Sequence, residues 1–441
     1  MIFSRPNIGT FLTSLAIQGC GLVTGILSAR ILGPAGRGEL ATVLLWPVIL
    51  SNLGLLGCNW SLARAVAFEP NFEPQREADQ VCSAIVLGLA AALIFCACGY
   101  FLLPRVLPAD RTHLLPLARL CLFLIPLDIF NQTLLAIEHG RMRWRRFNLV
   151  RVSYFLFYLT LVLLIWSGRL KEVRWFVWAF LASQLLAVLV RLRVQRRSFA
   201  NGRPSLVQCR RLLFSGLPFL GATAGNLLTL QIDTILVVSL MNAEAAGIYV
   251  VASAFSNAQF SLGDALGITS FAALSNEKEI GKQKKILTET FRQSALLSAS
   301  VAVLLSCLIP FLVLLFFGNG FALAIRPAVI LSLAAVLTAS GNILNQGLRG
   351  AGRTGAGLTS QLLGTGVLVV TATFLLRRFG LIGMAWAVAL SAGLQVIVLV
   401  AFAANWLNIS PASFWPFGPR SVKTFCQQVV GLRMRILRSP A

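Results

Sequence analysis

Twelve stretches of about twenty mostly apolar residues, separated by short polar connections, leave this chain few ways to fold. An α-helix rises 1.5 Å per residue, so twenty residues cover the roughly 30 Å hydrocarbon core of a bilayer. The stretches run over residues 8–31, 39–62, 81–103, 117–137, 150–167, 175–194, 212–240, 247–273, 293–317, 327–348, 358–376 and 381–404. Backbone polar groups in lipid must be satisfied within the protein, so each stretch is expected to be a helix. The first is too long for a signal-peptide core of about 7–15 residues and reads as spanning helix 1. Composition agrees: 57% of the 441 residues are hydrophobic and only 12% charged, against about 25% charged in a soluble domain.

A net charge of +23 in a soluble protein would suggest nucleic acid. Here the basic residues gather between the apolar stretches, which excludes that partner and points to membrane lipids. The N-terminus, the even-numbered connections and the tail carry 27 Lys and Arg, and the odd-numbered connections carry 11. By the positive-inside rule both termini are cytoplasmic, along with Arg141, Arg143, Arg145, Arg146 and the segment 191–211. Arg169, Lys171, Arg174, Arg377 and Arg378 oppose that balance locally. The tail from Pro419 interleaves Arg and Lys with Val, Leu and Ile and suits either an amphipathic helix on the cytoplasmic leaflet or a solvated end.

Leu53-Gly54 matches Leu262-Gly263 at an offset of 209, which also places Gly38 on Gly247. Asp128-Ile-Phe-Asn131-Gln132 resembles Asn342-Ile-Leu-Asn345-Gln346 at an offset of 214, and each leads into Gly-Arg. Three matches in order predict two six-span lobes, 1–194 and 212–404, joined by a basic linker at 195–211 and followed by a basic tail at 405–441. Six is even, so the lobes share one orientation about an axis along the membrane normal. The fold class is all-α and polytopic, with a polar cleft between the lobes.

Signatures of catalysis are missing. The sequence contains no Gly-x-Ser-x-Gly, no phosphate loop and no His-Glu-x-x-His, and it has two histidines, His113 and His139. Neither a metal site nor a resident cofactor is expected, and the nine cysteines, mostly within apolar stretches, read as packing residues. Attention falls instead on ionisable groups inside the spans, because a carboxylate at a helix centre costs about 2.5–3.5 kcal/mol or more and needs a cavity or a partner. Asp128, Asp233 and Asp264 are the three. Amides accompany them, notably Asn52, Asn342, Asn345 and Gln346, and serve either as interhelical glue or as the lining of a hydrated lumen. Arg30 and Arg64 at span ends either snorkel to headgroups or await an anion. Gly21, Gly25, Pro218, Gly221 and Gly225 mark places for close packing or hinging in spans 1 and 7.

The run Ala29-Arg30-Ile-Leu-Gly33-Pro34-Ala-Gly36-Arg37-Gly38 resembles the first external turn of polysaccharide-exporting flippases, the Wzx type within the MATE-like multidrug, oligosaccharidyl-lipid and polysaccharide superfamily. Ile232-Asp233-Thr with Gly247-Ile-Tyr249-Val-Val-Ala252, Asn345-Gln346-x-Leu348-x-Gly350-x-Gly352-Arg353, and Arg378-Phe-Gly380-Leu-Ile-Gly383 resemble three further segments of that family. The resemblance implies a bacterial inner-membrane exporter that moves an undecaprenyl-pyrophosphate-linked oligosaccharide from the inner to the outer leaflet by alternating access. It also implies coupling to H+ or Na+, and a glycan polymerase with its chain-length machinery as partners. In that reading Arg30 and Arg64 meet phosphates, the amides meet sugars and Asp233 couples the ion. A cation-coupled drug exporter and a peptidoglycan-precursor (lipid II) flippase are the transporter alternatives. A membrane-embedded glycan polymerase or ligase and a non-transporting scaffold stand further off.

Overall fold

The structure is a computed structural model and describes residues 5–67, 74–195, 202–277, 279–416 and 418. Residues 196–201 of the basic linker and the tail beyond 418 lie outside the described residues. Among those described there is no strand. The helices are α1 (Arg5–Gly54), α2 (Cys58–Ala67), α3 (Pro74–Val106), α4 (Leu115–Cys121), α5 (Leu124–Gly140), α6 (Trp144–Ser167), α7 (Val173–Gln195), α8 (Leu206–Leu240), α9 (Ala243–Asn276), α10 (Ile280–Phe317), α11 (Ile325–Gly350) and α12 (Thr354–Leu407).

These twelve helices are not the twelve spans. Fifty residues of helix would reach about 75 Å, far beyond a bilayer core, and α1 breaks at Gly33 (φ 68°, ψ −178°) into spans 1 and 2. Likewise α12 breaks at Gly380 (φ 57°, ψ −140°) into spans 11 and 12. Two expected spans are not continuous. Span 2 is interrupted by a turn at Leu55–Gly57, where Leu56 and Gly57 take φ of 49° and 70°, and α2 completes it. Span 4 is divided at Leu122–Phe123 into α4 and α5. Hydropathy registers neither interruption, because the turn residues are themselves apolar.

The repeat is visible in the backbone. A short 3-10 helix precedes α4 at Ala109–Leu114 and another precedes α11 at Asn319–Ala324. Helix α5 ends at Gly140 and α11 at Gly350, and each is followed by a residue of positive φ, Met142 (52°) and Gly352 (79°). Arg169 (φ 53°) turns the chain between α6 and α7 where Gly380 breaks α12. Every one of these pairs is about 210 residues apart.

The chain divides into two compact units, Met1–Val250 and Val251–Ala441. The first includes α8 and the start of α9, because α8 lies against α1, α2 and α3. One of its cores surrounds Leu40, Ile125 and Phe176; a second joins Leu62, Val81, Leu134 and Ile137 to Leu212 of α8. In the second unit Leu274, Leu287, Leu344 and Ala403 pack together, with Phe291 edge-on to Phe414 at 5.7 Å. Leu93, Phe101, Leu149 and Phe374 point outward, each at least 68% exposed. Water would penalise such a surface, whereas hydrocarbon tails match it.

Candidate functional site

Helix α1 meets the start of α9 through glycine. A Cβ on Gly38 would lie 1.7 Å from the Ala243 carbonyl oxygen and 2.8 Å from the Gly247 nitrogen. A Cβ on Gly247 would lie 1.9 Å from the Pro34 oxygen and 2.8 Å from the Gly38 nitrogen. Gly38 corresponds to Gly247 and Pro34 to Ala243 at the offset of 209, so the contact is reciprocal. Equivalent residues touching each other in this way is what a local two-fold relation produces. No side chain fits between the two backbones.

The same end carries a buried cation. Arg111 is 1% exposed; it donates to Thr42 Oγ1 at 2.7 Å and to the Met241 carbonyl at the end of α8. Asp110 pairs with it from the surface at 3.4 Å. Asp233 completes this end of the α8–α9 hairpin. Its Oδ2 accepts from the Tyr249 hydroxyl at 2.7 Å, and its Oδ1 accepts from the Thr234 amide at 2.6 Å. The Tyr249 bond crosses the bend, and the Thr234 amide satisfies the other carboxylate oxygen from within α8.

The opposite end closes by a second glycine contact. The turn at Leu55–Gly57 meets α8 so closely that a Cβ on Gly57 would lie 2.1 Å from the Gly216 oxygen, and one on Gly216 would lie 2.7 Å from the Leu56 oxygen. Ser61 Oγ donates to the Leu212 carbonyl at 3.0 Å beside it. A side chain at residue 57 would be doubly penalised, by the approach and by its positive φ. The seam between α1–α2 and the α8–α9 hairpin is thus shut at both ends by backbone contact.

Behind this seam the first unit holds a polar layer. Ser51 donates to Asp128 Oδ2 at 2.8 Å, and Arg191 supplies the nearby opposite charge. Arg191 also donates to the carbonyls of Asn131 and Val150. Asn131 donates to Gln184 Oε1 at 2.5 Å, and Gln195 reaches Glu138 at 3.2 Å. These bonds tie α5, α6 and α7 together. Glu77 of α3 holds Arg141 just beyond α5 in a close ion pair. Burial, then the like charges of Arg143 and Arg146, lower the Arg141 pKa to about 10, which leaves it cationic at neutral pH.

The residues singled out from sequence are dispersed. Asp128 and Asp233 sit in the networks above. Asn52 spends its amide on the Val48 carbonyl at 2.8 Å, and Arg30 and Arg64 are exposed on α1 and α2. Asn342, Asn345 and Gln346 share α11; the first and third lie against Gly267, whereas Asn345 packs on Gly357 with its Oδ1 buried and unpaired. The Asp264 side chain and the surroundings of Gly221 and Gly225 lie outside what is described. Among the described residues nothing lies within 4 Å of a Cβ on Gly21 or Gly25, and α1 stays helical through both. The helix also runs unbroken through Pro218. Sequence reasoning missed Arg111 and the Gly57–Gly216 contact, and it quoted Tyr249 within a motif without pairing it to Asp233. Arg111 resembles any solvated loop cation until its burial is seen, although Gly38 and Gly247 had already been paired by the repeat.

Comparison with known proteins places this geometry. The family model described as "Polysaccharide biosynthesis protein" matches residues 7–263. Among proteins of curated function, none matches the sequence. The lipid II flippase MurJ in an inward closed conformation superposes with a TM-score of 0.75 at 14% identity, over 98% of this chain and 93% of that one. An inward-facing multidrug resistance MATE family transporter of the MOP superfamily gives 0.69 at 16% identity, over 92% and 96%. The eukaryotic MATE transporter AtDTX14 gives 0.61 at 15%, over 93% and 98%. The chain is a multi-pass membrane protein with this fold.

Proposed function

Because the chain belongs to the polysaccharide biosynthesis protein family, we propose that it moves a glycan linked to undecaprenyl pyrophosphate from the inner to the outer leaflet. The observation that carries the reading is the seam closed by glycine at both ends. A pyrophosphate-sugar headgroup cannot cross hydrocarbon unaided, for the reason that a buried ion is costly. It needs a polar passage open to one side at a time. Contacts made by bare backbone bury little side-chain surface, so beyond the Arg111 bonds at one end and the Ser61 bond at the other little has to break for either end to part while the other stays shut. Rocking of the two six-span lobes then exposes the passage alternately.

In this reading Arg30 and Arg64 receive the phosphates, and Asn52, Asn342, Asn345 and Gln346 receive sugars. Asp233 takes up H+ or Na+ and exchanges the Tyr249 hydroxyl for it as the outer end opens. Asp128 and Asp264 serve the passage or its support, and no chemical bond is made or broken. The likeness in fold to MATE transporters favours one alternative, a cation-coupled drug exporter.

The test is reconstitution. Proteoliposomes loaded with a fluorescent lipid-linked oligosaccharide are expected to expose it to an external glycosidase faster than protein-free liposomes, under a proton or a sodium gradient. Rates equal to those of protein-free liposomes under both gradients, together with uptake of a cationic dye, would transfer the protein to the drug-export class. Intact glycan export by both Asp233→Asn and Arg30→Ala would overturn the residue assignments.

A further inference from the structure

Where α6 enters the membrane, a cavity of about 890 Å³ is lined by Gly9 and Thr13 of α1, by Arg143, and by Trp144, Arg145, Arg146 and Asn148 of α6. Arg143, Arg145 and Arg146 are all exposed, so three cationic heads converge on one opening, with no carboxylate among the described residues of its lining. Its wall is held in place: Asn148 donates to Thr10 Oγ1 at 3.1 Å and Arg151 to Ser14 Oγ at 3.2 Å, which fastens α6 to α1. Trp144 lies edge-on to Phe147 and His139, giving the rim an aromatic side of the kind that sits at headgroup depth.

A second cavity of about 270 Å³ begins at Arg146, which both share. It continues between α6 and α7 along Leu149, Val150, Val152, Ser153, Leu156, Val190 and Val194, all apolar except Ser153, whose hydroxyl is turned back onto the Val150 carbonyl. From Arg146 to Leu156 a helix rises about 15 Å, half of the roughly 30 Å hydrocarbon core. A basic basin at the interface thus opens into an apolar groove as deep as one leaflet.

We propose that this composite is a binding site for an anionic phospholipid of the cytoplasmic leaflet, with its phosphate among Arg143, Arg145 and Arg146 and one acyl chain in the α6–α7 groove. The chemistry is complementary at both ends: three guanidinium groups suit phosphate oxygens, and the groove matches an acyl chain of one leaflet. A much longer prenyl chain would overrun it. None of the residues that close the seam lines this site, and the lipid is a structural companion that secures α1 to α6 and not the transported cargo. The inference rests on the orientation of the basic connections toward the cytoplasm, and it does not depend on which solute crosses.

The experiment uses the full-length protein, delipidated in detergent and titrated by native mass spectrometry with phosphatidylglycerol, phosphatidylcholine, undecaprenyl phosphate or inorganic phosphate. Phosphatidylglycerol is expected to bind about tenfold more tightly than phosphatidylcholine. The triple variant R143Q/R145Q/R146Q is expected to lose that preference, and Val190→Trp, which fills the groove and keeps every arginine, to weaken phosphatidylglycerol as well. Arg210→Gln with Arg211→Gln, which removes charge elsewhere on the same side, should leave binding within about twofold. The proposal is overturned if the Arg210/Arg211 variant loses as much as the triple variant, or if Val190→Trp binds normally. Tighter binding of undecaprenyl phosphate would make the site one for substrate, and displacement by inorganic phosphate alone would make it an ion site without a lipid; either result refutes it.

Discussion

Substituting Gly247 by alanine should bias the protein toward the state in which the α1–α9 end of the seam is open. The added Cβ would stand 1.9 Å from the Pro34 oxygen, and ordinary contact begins near 3.4 Å, so the two backbones must part by about 1.5 Å. Both atoms that must give way, the Pro34 oxygen and the Gly38 nitrogen, are backbone, so no side chain can rotate aside. Overpacking of this kind costs about 1–3 kcal/mol. The cost falls only on the closed state, so it acts in full on the equilibrium. At 1.36 kcal/mol per decade, 2 kcal/mol shifts the populations about thirtyfold. The assay is oxidative cross-linking between cysteines placed at the exposed positions Ala35 and Glu244, in a background whose native cysteines are replaced. The cross-linking rate should fall at least tenfold, and glycan transfer should slow with it, because a cycle needs both closures. Gly21→Ala is the matched control: its Cβ meets nothing within 4 Å, and alanine favours the helix by about 0.5–1 kcal/mol. If Gly247→Ala cross-links as fast as Gly21→Ala, the seam is not a gate and the argument from backbone contact fails.

Gly57→Ala should bias the opposite end open, since its Cβ would meet the Gly216 oxygen at 2.1 Å and its φ of 70° adds about 1–2 kcal/mol of strain; increased labelling of a cysteine at Leu217 measures it, and unchanged labelling refutes it. Arg111→Met should lower stability by about 3 kcal/mol by leaving Thr42 and the Met241 carbonyl without their buried donor, seen as an earlier unfolding midpoint in detergent. Asp233→Asn should abolish transport, whereas Tyr249→Phe, which removes one hydrogen bond worth about 1.5 kcal/mol, should only slow it; equal effects would mean that Asp233 serves structure alone. Glu77→Gln should destabilise the α3–α5 junction by about 1–2 kcal/mol, and Arg141→Gln made together with it should cost little more, a non-additivity that a double-mutant cycle of melting curves reads directly.

How much of this was legible in the residues differs from level to level. The spans were, because burial in lipid depends on composition over about twenty consecutive residues, and every connection can be counted. So was the repeat, and the pairing of Gly38 with Gly247 turned out to mark a physical contact. The site was less so. Asp128 and Asp233 were found because a carboxylate in an apolar run is conspicuous, but their partners, Ser51 and Tyr249, are ordinary side chains whose meaning lies in where they arrive.

Sequence by itself determined that this chain crosses a membrane many times, that it does so in two similar halves, and which flank carries the positive charge. These are sums over neighbours along the chain, and solvent transfer free energies add locally. Only the tertiary structure decided that Leu56 turns with positive φ, that Arg111 lies buried against α8, and that α1 and α2 touch the α8–α9 hairpin at two glycine pairs. Each of those depends on the approach of backbones far apart in sequence, and a residue carries no mark of a neighbour it meets only after folding.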